Sequence, residues 1–261
     1  MPETLIEAVA AVAAEAGQLA LDRWESDFRR WEKSPGSPVC DIDLEVDELL
    51  KQRLKAIDAD AGWLSEETAD TMDRLMSPRL WVVDPIDGTR DYLRGRPGWC
   101  VSVALVEHNL PIIGVLDAPA RDERWLAAAG RGATRNGALL RASMRAELPG
   151  ARVPADTLPR IDEDLIAVPR ANSIALRIAM VAADEADLCA SLRWGHEWDI
   201  AAAALIAEEA GAVVTDALGL PIRYNSREAE AFGMLASAPA IHTAAVARLA
   251  ERASVASVKP R

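Results

Sequence analysis

The feature that most constrains the fold is an apolar run that ends in two aspartates and a glycine–threonine pair, WVVDPIDGT at residues 81–89. Residues 80–83 are too few for a helix and prolines flank them, so the run predicts a buried strand. Because Pro85 breaks such a strand, Asp84 and Asp87 can both project from the turn beyond its carboxyl end, where open α/β sheets place their ligands. We therefore expect an α/β fold with a ligand site at this strand end.

The Gly88–Thr89 pair predicts the start of a helix, whose unpaired backbone N–H groups are a natural seat for a phosphate. Two carboxylates beside an anion-binding site indicate a hard cation that bridges them and the anion, and Mg²⁺ is the default. The simpler alternative is that Asp87 only caps the helix.

A strand that ends in Asp-x-Asp-Gly-Thr is also typical of haloacid-dehalogenase-type phosphatases, in which the first aspartate attacks phosphorus. In this chain the residue two positions before Asp87 is Pro85, which cannot act as a nucleophile, and the preceding acid is Asp84. This offset of one position favours attack by a metal-activated water over an aspartyl-phosphate.

Composition narrows the class of protein. The chain has 41 Asp and Glu against 29 Lys and Arg, a net charge of −12, and this excess of acids argues against a nucleic-acid partner. No stretch approaches the roughly 18 consecutive apolar residues of a membrane span, and the N-terminus has no pattern of a secretion signal. Cys40, Cys100 and Cys189 are too scattered for a disulfide framework or a zinc cluster, which suits a reducing cytoplasm.

Periodicity along the chain predicts two α/β portions, residues 1–145 and 146–261, with the polar motifs gathered where they meet. Helices are expected at residues 5–31, 44–57, 173–183 and 200–210, and breakers predict a loop at 34–38. Strands are expected at residues 80–83, 101–106, 111–116, 124–129, 165–168 and 212–215, the second and third forming a hairpin.

Two further strings place acids at the ends of elements. WLSEET at residues 63–68 ends a short apolar run in adjacent acids, of which Glu66 would face a site shared with Asp84. The alternative is a solvated turn. HEWDI at residues 196–200 places Asp199 where a helix should start, which suits either an N-cap or a metal ligand.

A third acidic string, CDIDLEVD at residues 40–47, superficially resembles a calcium loop. It has Val46 where that loop needs glycine and Gln52 where it needs glutamate, so we reject a calcium site. At the start of a helix, Asp43 and Asp47 share one face. Asp43 is then a candidate orienting base, and Asp47 a solvated or structural acid.

In order along the chain, these strings resemble the motifs of the inositol monophosphatase superfamily. The resemblance covers nearly the whole length of the chain. That pattern is an Asp after Ser-x-Val-Thr, then Glu-Glu, Asp-Pro-Ile/Leu-Asp-Gly-Thr/Ser, and Trp-Asp before an Ala-rich helix ending Glu-Ala-Gly-Gly. The matching strings are Ser37-Pro38-Val39-Cys40 with Asp43, Glu66-Glu67, Asp84 to Thr89, Trp198-Asp199 and Glu209-Ala210-Gly211-Ala212.

The resemblance implies an alternating α-β-α-β-α layered fold, a phosphomonoesterase activity and two to three Mg²⁺ ions. It assigns Glu66, Asp84 and the Ile86 carbonyl to one metal, Asp84, Asp87 and Asp199 to a second, and a third, weaker ion to the surroundings of Glu66. Asp43 and Thr89 would activate the attacking water beside Glu66. The implied substrate-side residues are Asp87, Gly88, Thr89, Ser173, Glu197 and Asp199. Lithium inhibition and a homodimer are common in the family.

Departures from the family pattern bear on the substrate. Arg90-Asp91-Tyr92 is closer to the Lys-Glu-Phe of 3'(2'),5'-bisphosphate nucleotidases than to the Thr-Asn-Phe of inositol monophosphatases. The inositol-binding acid would fall at Leu192, which cannot bind a hydroxyl. Both favour adenosine 3',5'-bisphosphate, with inositol 1-phosphate, histidinol phosphate or another sugar phosphate as alternatives.

Other departures leave alternatives open. Arg177 stands where the family has Lys, either to pair with a second phosphate or as an ordinary surface residue. Cys40 replaces the motif threonine, either as a buried small residue or as an oxidisable thiol, and Ala212 replaces a glycine. A catalytically silent phosphate- or metal-binding protein is the alternative from another class, but all the expected ligands are present.

Overall fold

The computed structural model describes residues 3–24, 26–34 and 37–258. Its helices are α1 (Glu3–Arg23), α2 (Asp41–Ile57), α3 (Thr89–Tyr92), α4 (Ile174–Ala182), α5 (Ala201–Glu209) and α6 (His242–Ala256). Its strands are β1 (Arg30–Ser34), β2 (Ser37–Cys40), β3 (Gly62–Ser65), β4 (Arg79–Asp87), β5 (Cys100–Glu107), β6 (Leu110–Ala118), β7 (Glu123–Ala128), β8 (Ala133–Arg135), β9 (Ala138–Leu139), β10 (Arg152–Pro154), β11 (Ile166–Val168), β12 (Leu188–His196), β13 (Val213–Thr215) and β14 (Glu230–Ser237).

The two larger of the four sheets in the described residues alternate with three helical layers, which confirms the expected layered α/β fold. A seven-stranded sheet in sequence order from β3 to β9 carries α1 and α2 on one face and α5 on the other. Helices α4 and α5 separate it from a three-stranded sheet of order β12-β14-β13, which α6 covers. Strands β3 and β4 are parallel, and the remaining neighbours in the large sheet are antiparallel. The division into two portions at residue 145 stays a prediction.

The central strands are apolar on both faces because both faces are covered. Nearly every residue of β4 and β5 is buried, so these strands read as continuous hydrophobic runs without alternation. The predicted β5–β6 hairpin is confirmed, and His108 and Asn109 form its turn with φ of 50° and 64°.

Helix α5 packs unusually close to the large sheet. Every residue from Ala201 to Ala207 is buried. A Cβ atom on Gly114 of β6 would lie 2.5 Å from the Ala202 carbonyl oxygen, so glycine and a row of alanines are what this contact requires.

The predicted course of β4 at Pro85 was wrong. The strand continues to Asp87, and its register with β5 shifts between Asp84 and Asp87. At such an irregularity the strand pairing does not use the backbone N–H that proline lacks, so Pro85 is tolerated inside the strand. The two aspartates therefore lie in the strand and not in a turn beyond it.

The first helix ends earlier than predicted, and Trp31 lies in strand β1 instead. At the end of α1, the Trp24 indole packs edge-on against Trp99, with ring centroids 5.8 Å apart, and its Nε1–H donates to the Tyr92 carbonyl oxygen. This anchoring redirects the chain. Residues 35 and 36 of the predicted loop lie outside the described residues.

By length and composition alone, one helix in the described part of the chain, Thr4–Arg23, could cross a membrane, with a mean hydropathy of 1.4. Its buried residues Val9, Ala13, Ala16 and Ala20 belong to the hydrophobic core between this helix, α2 and the large sheet. This packing accounts for part of its apolar character, since 33% of its most apolar 18-residue window is buried.

Candidate active site

Three carboxylates from separate elements converge at one edge of the large sheet. Glu66 directly follows β3, Asp84 lies in β4 and Asp199 lies just before α5. One oxygen from each lies within 4.8 Å of the others. The structure thus brings together three of the acids that the sequence motifs single out.

The electrostatics of this cluster call for a cation. Asp84 is buried, and burial together with the charges of Glu66, Asp87, Asp199 and Asp43 raises its pKa well above the ordinary range. Burial, Asp87 and Glu66 likewise raise the pKa of Asp199, against a hydrogen bond from the His196 N–H at 3.1 Å. Converging carboxylate oxygens are the donor set of a hard divalent ion, so the residues present fit such a metal.

Asp87 is held by the N-terminus of α4 and not by that of the following helix. Its carboxylate accepts hydrogen bonds from the Ser173 hydroxyl and from the N–H groups of Ile174 and Ala175, the last at 2.8 Å. Burial raises its pKa to about 6, although Ser173 and the backbone donors oppose that shift. The capping alternative is therefore wrong: the helix that begins at Thr89 has no side-chain cap, and Asp87 accepts N–H groups at the start of α4 instead.

Asp43 and Thr89 are brought together as predicted. The Thr89 hydroxyl lies 3.4 Å from Asp43 Oδ1 and 3.0 Å from the Ile86 carbonyl oxygen. Gly88 adopts φ of +99°, and a Cβ there would lie 2.6 Å from the Gly98 carbonyl oxygen, so glycine is required at this turn.

Cys40 orients Asp43 from the N-cap of α2. Its N–H and Sγ–H both donate to Asp43 Oδ2, at 2.8 and 2.9 Å, which leaves Oδ1 directed at Thr89. Burial and the neighbouring Asp43 charge raise the pKa of the Cys40 thiol, so the sulfur stays protonated and acts as a donor. This contact supports a structural role and gives no support to an oxidisable thiol.

Asp47 is a structural acid and not a solvated one. It is buried, and it accepts hydrogen bonds from the hydroxyls of Ser65 and Thr68, each at 2.5 Å. It thereby fixes the segment around Glu66 onto α2.

The structure contradicts two predicted substrate-binding residues. Ser173 is 0% exposed, and its hydroxyl donates to Asp87 while accepting from the Leu176 N–H, so it lies behind the site. Glu197 is also 0% exposed, and its two oxygens accept the N–H groups of Asn225 and Ser226. Neither side chain has surface left for a substrate.

A cavity of about 490 Å³ opens beside Asp199 between α4, β12 and β14. Arg177 lines it and is half-buried, with its guanidinium donating to the carbonyl oxygens of Ala171 and Asn172, so it is not an ordinary surface residue. Leu192 also lines the cavity.

Sequence reasoning missed three further lining residues on β12: Arg193, Trp194 and His196. The His196 ring stacks on Trp198 at 4.2 Å between centroids, beside Asp199. Two adjacent large side chains shortly before the Trp-Asp motif were the available signal, because neighbouring side chains on a strand point to opposite faces. Arg193 is the one close enough to act on Arg177, and Trp194 packs on Phe232 and donates to the Ser257 carbonyl oxygen.

The layered fold and the sequence are similar to those of known proteins. The sequence profile of the inositol monophosphatase family matches residues 1–254. A histidinol-phosphatase from Mycobacterium tuberculosis is 34% identical over 80% of this chain and 86% of its own. The 3'(2'),5'-bisphosphate nucleotidase CysQ of Escherichia coli is 30% identical over 75% and 83%. An IMPase structure from Thermotoga maritima superposes with a TM-score of 0.82 at 28% identity, over 95% of this chain and 97% of that one.

Fold, site and relatives together define a phosphoric monoester hydrolase of the metal-dependent kind that acts on small phosphomonoesters. The chain belongs to the inositol monophosphatase family. The expected superfamily resemblance is thereby confirmed.

Proposed function

We propose that the protein is a Mg²⁺-dependent phosphatase for substrates that carry a second anionic group, with adenosine 3',5'-bisphosphate as the substrate. The observation that carries the proposal is the charge of the cavity beside Asp199. Arg177 and Arg193 line it, and Asp199 is the one carboxylate among its described lining residues. Since Asp199 is a proposed metal ligand, the rest of the cavity is cationic.

The proposed metal ligands are carboxylates and one carbonyl. Glu66, Asp84 and Asp199 converge, Asp87 lies close enough to raise the pKa of two of them, and the Ile86 carbonyl oxygen contacts Thr89. We assign two to three Mg²⁺ ions to this set. When bound, they would neutralise phosphoryl oxygens and lower the pKa of the attacking water.

Asp43 and Thr89 would handle the proton of that water. Cys40 occupies Asp43 Oδ2, and the remaining oxygen lies 3.4 Å from the Thr89 hydroxyl, which is also 3.0 Å from the Ile86 carbonyl oxygen. With that carbonyl bound to a metal, the single hydroxyl proton would be donated to Asp43. A lone pair of Thr89 Oγ1 is then free to accept a hydrogen bond from the water, which orients it for attack. The N–H groups of Gly88 and Thr89 would hold the phosphate.

The cavity favours one substrate among those that the names of relatives suggest. The identities to the three proteins are similar, so identity does not choose among them. The amine of histidinol phosphate would meet two arginines. An inositol hydroxyl would find no acid at position 192, where the Leu192 side chain packs against hydrophobic residues on the α6 side of the three-stranded sheet. A 5'-phosphate would pair with Arg177 and Arg193, the two arginines that line the cavity.

The test compares kcat/KM for adenosine 3',5'-bisphosphate, adenosine 3'-monophosphate, inositol 1-phosphate and histidinol phosphate in excess Mg²⁺. We expect the bisphosphate to be preferred, and Arg193→Gln to lower its kcat/KM about tenfold while sparing the monophosphate, which lacks the second charge. A preference for inositol 1-phosphate or histidinol phosphate would overturn the substrate assignment. Ligand binding without turnover of any phosphomonoester would favour the catalytically silent protein.

Further parts of the proposal concern the cellular compartment, the metabolic role, the inhibition by lithium and the oligomeric state of the enzyme. The three free, buried cysteines support a reducing cytoplasm. Removal of the 3'-phosphate from adenosine 3',5'-bisphosphate would place the enzyme in sulfur metabolism. Lithium inhibition through displacement of one Mg²⁺, and a homodimer, are proposed from family membership.

A further inference from the structure

A buried polar network that the proposed reaction does not use connects the loop after β3 with the loop before β14. Its hub is Arg74, whose side chain is 1% exposed. The guanidinium donates two hydrogen bonds to Asp70, at 2.7 and 2.8 Å, and one to Asn225 Oδ1 at 2.6 Å. It also donates to the carbonyl oxygens of Ser226 and Arg227.

Glu197 forms the other end of this network. Its Oε2 accepts the Asn225 N–H at 2.6 Å, and its Oε1 accepts the Ser226 N–H at 2.8 Å. A buried carboxylate is costly unless its oxygens are paired, so both loop and acid are fixed by these bonds. Asn225 therefore binds Arg74 through its side chain and Glu197 through its backbone.

Both ends of the network adjoin proposed metal ligands. Glu197 lies two residues before Asp199, and its carbonyl oxygen accepts the N–H groups of Ile200 and Ala201, which forms the turn that begins α5. Asp70 lies four residues after Glu66 in the same loop. The Glu66 N–H donates to the Val83 carbonyl oxygen of β4, so the backbone of that ligand is also fixed.

We propose that the Arg74–Asn225–Glu197 network positions the segments that carry Glu66 and Asp199 for metal binding. The two acids repel each other and Asp84, and they come from segments far apart in the sequence. A tie between those segments offsets the repulsion and keeps the three oxygens within 4.8 Å. Arg74, Asn225 and Glu197 are then positioning residues, and the inference rests on the proposed metal site.

The test measures Mn²⁺ binding by calorimetry in the absence of substrate. Glu197→Gln replaces one acceptor oxygen by an NH₂ group that cannot accept a backbone N–H. We expect the Mn²⁺ dissociation constant to rise about tenfold, and kcat at saturating metal to return to within about threefold of the native value. Asn225→Ala, which removes the acceptor for Arg74, should act in the same direction and decides the matter if Glu197→Gln does not fold.

Two control variants separate the possible outcomes. Asp162→Asn breaks a buried carboxylate–Arg252 pair on the outer α6 layer, and it should lower stability without changing Mn²⁺ affinity. Asp199→Asn should abolish tight Mn²⁺ binding, and if it does not, the metal site itself is wrong. If Asp199→Asn weakens binding while Glu197→Gln and Asn225→Ala bind Mn²⁺ like the native protein, the positioning role is overturned, whatever their melting temperatures.

Discussion

Once metal is removed, the stability of this enzyme should fall as the pH rises. Burial raises the pKa of Asp87 to about 6, against 3.8 for an unperturbed aspartate. The unfolded chain therefore releases this proton at a lower pH than the folded chain does. As pH rises above about 4, the folded state retains protons that the unfolded state has lost, so stability falls with rising pH.

The magnitude follows from the shift. A difference of about two pKa units corresponds to about 3 kcal/mol once Asp87 is fully ionised. Between pH 5 and pH 7.5, Asp87 alone should cost the metal-free protein about 1.4 kcal/mol of unfolding free energy. The pKa values of Asp84 and Asp199 are raised too, so their contributions have the same sign.

The assay is urea unfolding at pH 5 and pH 7.5, in chelator and in saturating Mg²⁺. Asp87→Asn keeps the shape of the side chain but cannot ionise. Between pH 5 and pH 7.5 it should therefore lose about 1.4 kcal/mol less unfolding free energy than the native protein. Saturating Mg²⁺ should flatten the dependence of the native protein, because bound metal favours the ionised carboxylates. Equal slopes for the native protein and Asp87→Asn in chelator would refute the reasoning.

Three further predictions test other parts of the molecule. Hydrogen bonds from Arg152 and Ser143 hold the pKa of Asp187 at about 2 despite its burial. Asp187→Asn should therefore lower the unfolding free energy by about 2 kcal/mol above pH 4. In acid unfolding, the variant should also lack the loss of stability that the native protein shows as pH falls through about 2. Cys40→Ala should lower kcat several-fold whereas Cys40→Thr preserves it, since only threonine keeps a donor for Asp43; equal rates would exclude the orienting role. Gly114→Ala should destabilise by about 1–3 kcal/mol in thermal unfolding, because its Cβ would overlap the α5 backbone.

The carboxylate cluster was predictable because each acid adjoins a short apolar run or starts a helix. Glu66 and Asp84 end or interrupt neighbouring strands, so chain topology brings these two to one edge, whereas the place of Asp199 beside them entered through the family pattern. The pairing of Asp43 with Thr89 entered through the family pattern, and the structure brings them together.

The roles of Ser173 and Glu197 could not be predicted in the same way. Whether a polar side chain faces the cavity or the interior depends on partners distant in sequence, here Asp87 for one and residues 225–226 for the other. The continuation of β4 through Pro85 has a similar cause, since a local register shift in the ladder removes the need for its missing N–H. Local sequence carries none of these tertiary contacts.

Helix α5 connects the proposed metal ligand Asp199 to the part of the molecule that we expect to open most slowly. Its residues from Ala201 to Ala207 are enclosed on all sides, and Gly114 lets its backbone lie against β6. We expect amide protons in this helix to exchange with solvent mainly through global unfolding, because the opening free energies of core helices approach that of the whole protein. Asp199, at its start, is thus attached to an element with the lifetime of the native state, and any conformational adjustment to substrate must come from the more exposed segments around it.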